Sequence, residues 1–294
     1  MRIEPADARS ILTPTGGWLT GFTHSLNPYR GCAYGGAACG VYCYAPETRF
    51  SADRRDQWGS YLRPKLQAAE HYRAEAARVR RRGGALRIFM SSVTDPYVPQ
   101  EARLGVTRAI LEAMLAEPPD LLVLQTHTPG PRRDARVLAA LQEKARLVVQ
   151  ITVETDLERV PGLPPHAASV AERLAALQQL RQAGLPTVAV AAPLLPLRDP
   201  ERFVARLGAA ADGVIFDHWL VGDGSPGGAR TRRRRAHAER PLPDALAAAG
   251  LGEWNTIERF EEIVALARDR LGAARVGVSC EGFARAFNDP RWPR

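Results

Sequence analysis

Apolar and polar positions in this chain switch repeatedly between two patterns. Short continuous apolar runs recur at residues 86–93 (LRIFMSSV), 121–128 (LLVLQTHT), 147–155 (LVVQITVET), 187–196 (TVAVAAPLLP) and 213–221 (GVIFDHWLV). Turn residues bound them, and each is short for a core helix, so each predicts a buried strand. A looser alternation at 18–27 predicts a first strand, and 275–280 (RVGVSC) a last one. Between these runs the apolar residues fall three and four apart, which places them on one helical face. That spacing predicts a helix over 61–82 (Leu62, Leu66, Ala69, Tyr72, Ala76, Val79). It predicts others over 101–117 (Val106, Ile110, Met114) and 132–145 (Val137, Leu138, Leu141). Ser169 with Glu172 is a capping-box pair, opening a helix that buries Val170, Leu174, Leu177 and Leu180 and ends at Gly184. Asp199-Pro200 marks another helix start. Asn255 with Glu258 predicts a last one, carrying Phe260, Ile263, Val264, Ala267 and Leu271 to Gly272.

Apolar strands separated by helices imply a parallel sheet covered on its outer face. No Gly-x-Gly-x-x-Gly turn follows the first strand, so a dinucleotide-binding fold is disfavoured. The predicted class is α/β: a partial (β/α)6-type TIM barrel of parallel strands with outer helices. A single domain is expected over 1–294, with its core at about 20–221. Residues 222–254, rich in glycine and arginine, predict a mobile loop or lid, and 255–294 a C-terminal helix and strand.

Composition narrows the class. The chain is 45% hydrophobic, enough for a substantial core. Four cysteines in 294 residues do not make a secreted disulfide scaffold. With no charged-then-apolar leader and no long apolar run, a cytoplasmic protein is expected. The formal net charge of +8 suits an anionic partner such as nucleic acid. However, only Lys65 and Lys144 are lysines, and much of the excess lies in arginine runs at 80–82 and 230–235. Such runs predict solvated faces or tails.

Three of the four cysteines, Cys32, Cys39 and Cys43, fall in one Gly- and Ala-rich stretch at 27–44, NPYRGCAYGGAACGVYCY. Three thiolates on a short loop suit a shared metal or cluster. Polar residues also gather at the strand ends, where parallel barrels place their chemistry. They include Ser91, Ser92, Thr94 and Asp95; Gln125, Thr126, His127 and Thr128; Thr152, Glu154 and Thr155; and Asp217, His218 and Trp219.

Four stretches in this order carry a family resemblance: NPYRGC with CYA, SSVTDPYVPQE, the capped helix SVAERLAALQQLRQAG, and VAVAAPLLPLRDPE. From about residue 20 to 221 the chain resembles the radical S-adenosylmethionine enzymes, within them the spore photoproduct lyase-like group. The resemblance implies a [4Fe–4S] cluster held by Cys32, Cys39 and Cys43. One iron would be left open for S-adenosylmethionine. It implies that Tyr44 lies against this cofactor, Ser92 and Thr126 face its methionine end, and Thr152 and Glu154 reach the ribose or methionyl group. It further implies that Arg173 pairs with the carboxylate and that the backbone near Ala192 meets the adenine. The implied partners are an electron donor such as flavodoxin or ferredoxin and, from the charge, nucleic acid. Two departures stand out. The family spacing is Cys-x3-Cys-x2-Cys, whereas six residues separate Cys32 from Cys39 here and three separate Cys39 from Cys43. The family's lyases carry a hydrogen-donating cysteine at the end of the second strand, where this chain reads SSVTD. That disfavours DNA photoproduct repair and leaves Cys280 as the spare thiol. The rival reading is a non-catalytic zinc module that binds nucleic acid, with Cys280 or His24 completing a tetrahedral site.

Overall fold

The computed structural model describes residues 1–48, 51, 58–234 and 239–288. Residues 49–50, 52–57, 235–238 and 289–294 lie outside the described residues, among them Arg235 of the arginine run and the end of the expected C-terminal segment. The strands are β1 (Arg2–Ile3), β2 (Leu12–Pro14), β3 (His24–Leu26), β4 (Tyr29–Gly31), β5 (Tyr61–Pro64), β6 (Arg87–Met90), β7 (Leu121–Thr126), β8 (Arg146–Thr152), β9 (Thr187–Ala191), β10 (Gly213–Phe216) and β11 (Val276–Val278). The helices are α1 (Ala38–Tyr42), α2 (Ala68–Arg81), α3 (Glu101–Leu104), α4 (Val106–Ala116), α5 (Ala135–Gln142), α6 (Val170–Gln182), α7 (Pro200–Ala210), α8 (Trp219–Gly222), α9 (Ala229–Arg233), α10 (Leu242–Ala248), α11 (Ile257–Leu271) and α12 (Ser279–Asn288).

Among the described residues the main sheet has eight strands in the order β11-β10-β9-β8-β7-β6-β3-β2. Its pairs are parallel except β2 with β3. β2 and β11 are its two edges, so the sheet is a partial barrel. α12 packs near the turn Gly17–Leu19, between β2 and β3, and the Cys280 thiol donates to the Trp18 carbonyl (3.1 Å).

Side-chain parity divides the core in two. Ile88, Met90, Leu122, Leu124, Val149, Ile151, Ala189, Ala191, Val214 and Phe216 point outward and pack with the helices. Phe89, Leu121, Val123, Val148, Val188, Val190 and Ile215 fill the concave face, joined by Phe22 and Phe283. The register keeps this second set level, with Phe89 beside Val123, Val123 beside Val148 and Val190 beside Ile215. Because the period is two, the same parity two residues further on decides which polar side chains reach the concave mouth.

Several boundaries differ from the sequence expectation. The helix expected over 61–82 begins only at Ala68. Tyr61 and Leu62 instead pair with Arg2 and Ile3, and Pro64 ends that strand against Tyr29. The helix expected over 101–117 breaks at Gly105, whose φ of +63° is left-handed. That expected over 132–145 is helical only as α5, after a 3-10 turn at Gly130–Asp134. The capping box at Ser169 and Glu172 forms, and Asp199 caps α7. The predicted cap at Asn255 is displaced by one residue. Thr256 Oγ1 accepts the Arg259 N–H, while Asn255 Nδ2 donates to the Pro243 carbonyl. Residues 222–254, expected as a mobile loop or lid, contain α9 and α10. Asp223 organises this segment, accepting from Ser225 and from the Thr231 backbone. No helix among the described residues is long and apolar enough to cross a membrane.

Candidate functional site

A cavity of about 460 Å³ opens at the C-terminal ends of the parallel strands. The concave parity delivers Ser25, Ser91, Gln125, His127, Ala192 and Asp217 to its wall. Leu19, Phe89, Trp219 and Phe283 supply apolar surface, and Cys32, Cys39 and Cys43 contribute thiols.

The cysteine segment is not one loop. β4 leads to Cys32, Cys39 lies on α1, and Cys43 follows the end of that helix. The additional glycines make a tight backbone crossing. A Cβ on Gly40 would stand 2.0 Å from the Gly35 carbonyl oxygen, and one on Gly35 would stand 2.4 Å from the Gly59 Cα. The wide spacing between Cys32 and Cys39 is therefore taken up by a turn folded onto itself, and Cys39 still reaches the same cavity. All four cysteines are free thiols. Burial pushes Cys32 up to about 12 and raises Cys39 and Cys43, and the neighbouring thiols push Cys32 and Cys39 further. A metal binding here would displace these protons.

Among the described residues no three His, Cys, Asp or Glu side chains converge closely enough for one metal ion. A cluster differs from a single ion in giving each thiolate its own iron, so its ligands stand farther apart. The donor set suits that arrangement: three thiols share one cavity and each is in electrostatic contact with another. The zinc reading needs a fourth ligand beside them. Cys280 is instead turned to Trp18, and His24 Nδ1 lies 2.9 Å from Thr23 Oγ1.

Of the residues singled out beside the cysteines, Tyr44, Ser92 and Ala192 line the cavity. The Tyr44 hydroxyl donates to the Ser92 carbonyl, tying two of them together. Thr126 has the opposite parity. Its hydroxyl donates to Asp95 Oδ1 (2.8 Å), and its neighbours Gln125 and His127 face the cavity instead. Thr152 is buried behind Gln125, whose Nε2 stands 3.3 Å from Thr152 Oγ1. Glu154 and Arg173 bond each other: Arg173 Nη1 lies 2.5 Å from Glu154 Oε2 and also donates to the Thr152 carbonyl. Tyr42 donates to the other Glu154 oxygen (2.6 Å), and His127 Nε2 lies 3.6 Å from it. Burial would raise the Glu154 carboxyl. The Arg173 charge, His127 and these hydrogen bonds outweigh that and hold it at about 2.

Across the cavity the wall is less satisfied. Asp217 Oδ1 accepts from Ser279 Oγ (2.6 Å) and the His218 N–H (2.9 Å). Burial nevertheless raises its carboxyl to about 7, with the nearby Asp223 adding to the rise. Gly222 makes room for it, since a Cβ there would stand 2.0 Å from Asp217 Oδ2. His218 is neutral structural furniture: Nδ1 accepts the Leu220 N–H and Nε2 donates to the Trp254 carbonyl, while burial lowers its pKa. Ser91 Oγ, Trp219 Nε1 and Thr231 Oγ1 all belong to cavity-lining residues and have no hydrogen-bond partner. Ser91 also holds φ at +81°, a conformation that costs a non-glycine residue energy and clusters at functional sites.

This wall contains the main surprise relative to the sequence. The run at 80–82 is exposed, as expected, but the run at 230–235 is not simply a solvated face. Thr231 and Arg234 are fully buried, Arg230 donates to the Asp223 and Gly224 carbonyls, and Arg232 lies 4.8 Å over the Trp219 ring. Tyr42 was also missed, because nothing in an apolar helix marks which tyrosine will meet a buried carboxylate.

No protein-family model matches the chain, and no curated protein does. Solved structures do. A cysteine-to-serine mutant of spore photoproduct lyase superposes with a TM-score of 0.51 at 16% identity, covering 73% of this chain and 60% of that one. Spore photoproduct lyase complexed with dinucleoside spore photoproduct gives 0.51 at 15% identity, with the same coverage. The chain has the fold of spore photoproduct lyase. The likeness spans 60% of the lyase chain, so it establishes a shared architecture over that part only.

Proposed function

We propose that the chain is a radical S-adenosylmethionine enzyme acting on a second substrate. The observation that carries this reading is three thiols on one cavity wall, at the C-terminal mouth of a parallel sheet with this fold. Cys32, Cys39 and Cys43 would hold a [4Fe–4S] cluster. When bound, such a centre delivers one electron to the sulfonium of S-adenosylmethionine, and breaking a C–S bond then yields methionine and a 5′-deoxyadenosyl radical.

The chain's own residues have separable tasks. Tyr44, Ser92 and Ala192 meet S-adenosylmethionine from the cavity wall, with Gln125 and His127 beside them. Thr126 braces that wall from behind, and Thr152, Glu154 and Arg173 hold Gln125 and His127 in place. Leu19, Phe89, Trp219 and Phe283 keep water from the reacting atoms. Ser91 Oγ, Thr231 Oγ1 and Trp219 Nε1 orient polar groups of a ligand. A one-electron donor such as flavodoxin or ferredoxin is required. Nucleic acid is the first substrate class to test, given the +8 charge and the dinucleoside held by the lyase neighbour. Photoproduct repair by a thiol at the end of the second strand is not part of the proposal, because Ser91 and Ser92 stand there.

EPR of the anaerobically reconstituted, reduced protein tests the reading. A cluster signal that changes on adding S-adenosylmethionine supports it, and Cys39→Ala should then lose the signal and the iron while remaining folded. A protein that binds zinc without sulfide, or a cluster signal indifferent to S-adenosylmethionine, sinks it.

A further inference from the structure

Arg234 is fully buried, and its Nε, Nη1 and Nη2 have no hydrogen-bond partner. A guanidinium has five N–H donors and stays charged at any ordinary pH. Burying one without an anion costs several kcal/mol, so buried charges are paired in stable proteins. Arg234 directly follows α9, whose Arg230 and Thr231 line the cavity that holds the cysteines, and its N–H donates to the Thr231 carbonyl (3.2 Å). The acidic groups whose charge acts on it are the Cys43 thiol and Glu47. Neither makes a hydrogen bond to it.

We propose that Arg234 is the charge partner of the iron–sulfur centre at Cys43: it supplies positive charge and donors to that centre and holds its reduction potential up. The inference rests on the proposed function, because it needs an anionic centre in the cavity. A cluster bound by three thiolates is such an anion, and its potential responds to nearby charge and to hydrogen bonds at sulfur. Arg234 is a positioning residue in this scheme and transfers nothing itself. Removing a positive charge beside the centre disfavours adding an electron, whereas removing a negative one favours it. The two neighbouring charges therefore give opposite tests.

The experiment compares wild type, Arg234→Met, Arg234→Lys and Glu47→Gln after anaerobic reconstitution. It reads iron and sulfide per chain and the midpoint potential from an EPR-monitored redox titration. Expected are a midpoint more negative than wild type in R234M, an intermediate one in R234K and a more positive one in E47Q. R234M that folds but does not load iron supports the same role if R234K restores loading, and counts against it if R234K does not. R234M with wild-type iron content and wild-type midpoint overturns the inference. Should R234M fail to fold, Arg234→Gln, which keeps donors but removes the charge, takes its place, and a wild-type midpoint in R234Q overturns the inference. A wild type that loads no iron overturns the proposed function and this inference together, and that result is visible before any variant is made.

Discussion

Glu154 and Asp217 follow parallel strands of one sheet, are almost wholly buried and have the same concave parity. They nevertheless sit in opposite electrostatic states. Glu154 is met by a guanidinium, a phenol and an imidazole and is held ionised, at about 2. Asp217 receives one hydroxyl and one backbone N–H, both on the same oxygen, and burial keeps its proton on until about pH 7. The β7–β8 wall is thus largely bonded within the protein. The exceptions are the Gln150 amide, one layer deeper, and Arg173 Nη2, both buried without a partner. The β10–α9 wall leaves Trp219 Nε1, Thr231 Oγ1 and all of the Arg234 guanidinium unsatisfied. Unsatisfied buried groups are expensive. A wall that keeps several of them beside a cavity is built for something that is not protein, whereas the opposite wall is built to stay rigid.

The sharpest way to break this contrast is Glu154→Gln. It leaves Arg173 as a buried charge facing neutral groups, and breaking one side of such a pair costs about 3–5 kcal/mol. Urea unfolding of the apo protein at pH 7 measures it. The sign of the pH effect also follows. Glu154 is depressed, so its contribution is present above the unfolded value near 4.3 and is lost as pH falls towards about 2. If E154Q unfolds at the wild-type urea concentration, the pair contributes nothing and the rigid wall is not rigid for this reason.

How much of this was legible beforehand differs between the walls for a physical reason. The parallel strands and the capping box at Ser169 were readable because period and cap chemistry are local. Polar strand ends gave the right neighbourhood, but parity within the neighbourhood needs the strand's register to be known. That is why Thr126 was placed at the cavity when Gln125 and His127 reach it. Arg173 carried a usable signal. It falls between Val170 and Leu174 on the apolar stripe of α6, and an arginine there implies a buried anion. Arg173 Nη1 meets Glu154, while its Nη2 has no partner among the described residues. Arg234 carried none, because a run of arginines reads as solvated until α9 buries its end. Folding of 222–254 likewise depends on Asp223 gathering Ser225 and Thr231, which no periodicity announces.

Asp217→Asn sharpens the other half of the contrast. The folded protein keeps this proton to about pH 7, whereas the unfolded chain releases it near 3.9. Between those values the folded state binds more protons. The Asp217 contribution is therefore full at low pH and falls as pH rises through the window, by at most about 1.4 kcal/mol per pH unit. The direction is opposite to that of Glu154. D217N should remove this slope between pH 5 and 7, read as urea midpoints at each pH. An unchanged slope in D217N would mean that Asp217 is already ionised in the folded protein.

The smallest effect is the cleanest comparison, because the same atom is removed on both walls. Thr155 and Thr231 are both fully buried. The Thr155 hydroxyl donates to the Pro196 carbonyl and accepts the Leu157 N–H, so Thr155→Val orphans two backbone groups and should cost about 1–3 kcal/mol. The Thr231 hydroxyl has no partner, so Thr231→Val removes an unsatisfied group and should change apo stability by no more than about 0.5 kcal/mol, or raise it slightly. Its penalty should appear only when the cavity is filled, as a weaker thermal shift on adding S-adenosylmethionine to the reconstituted protein. Equal losses in the two apo variants would mean that Thr231 is satisfied in solution. The β10–α9 wall would then be as complete as its opposite, and the distinction between a bracing wall and a binding wall would fall.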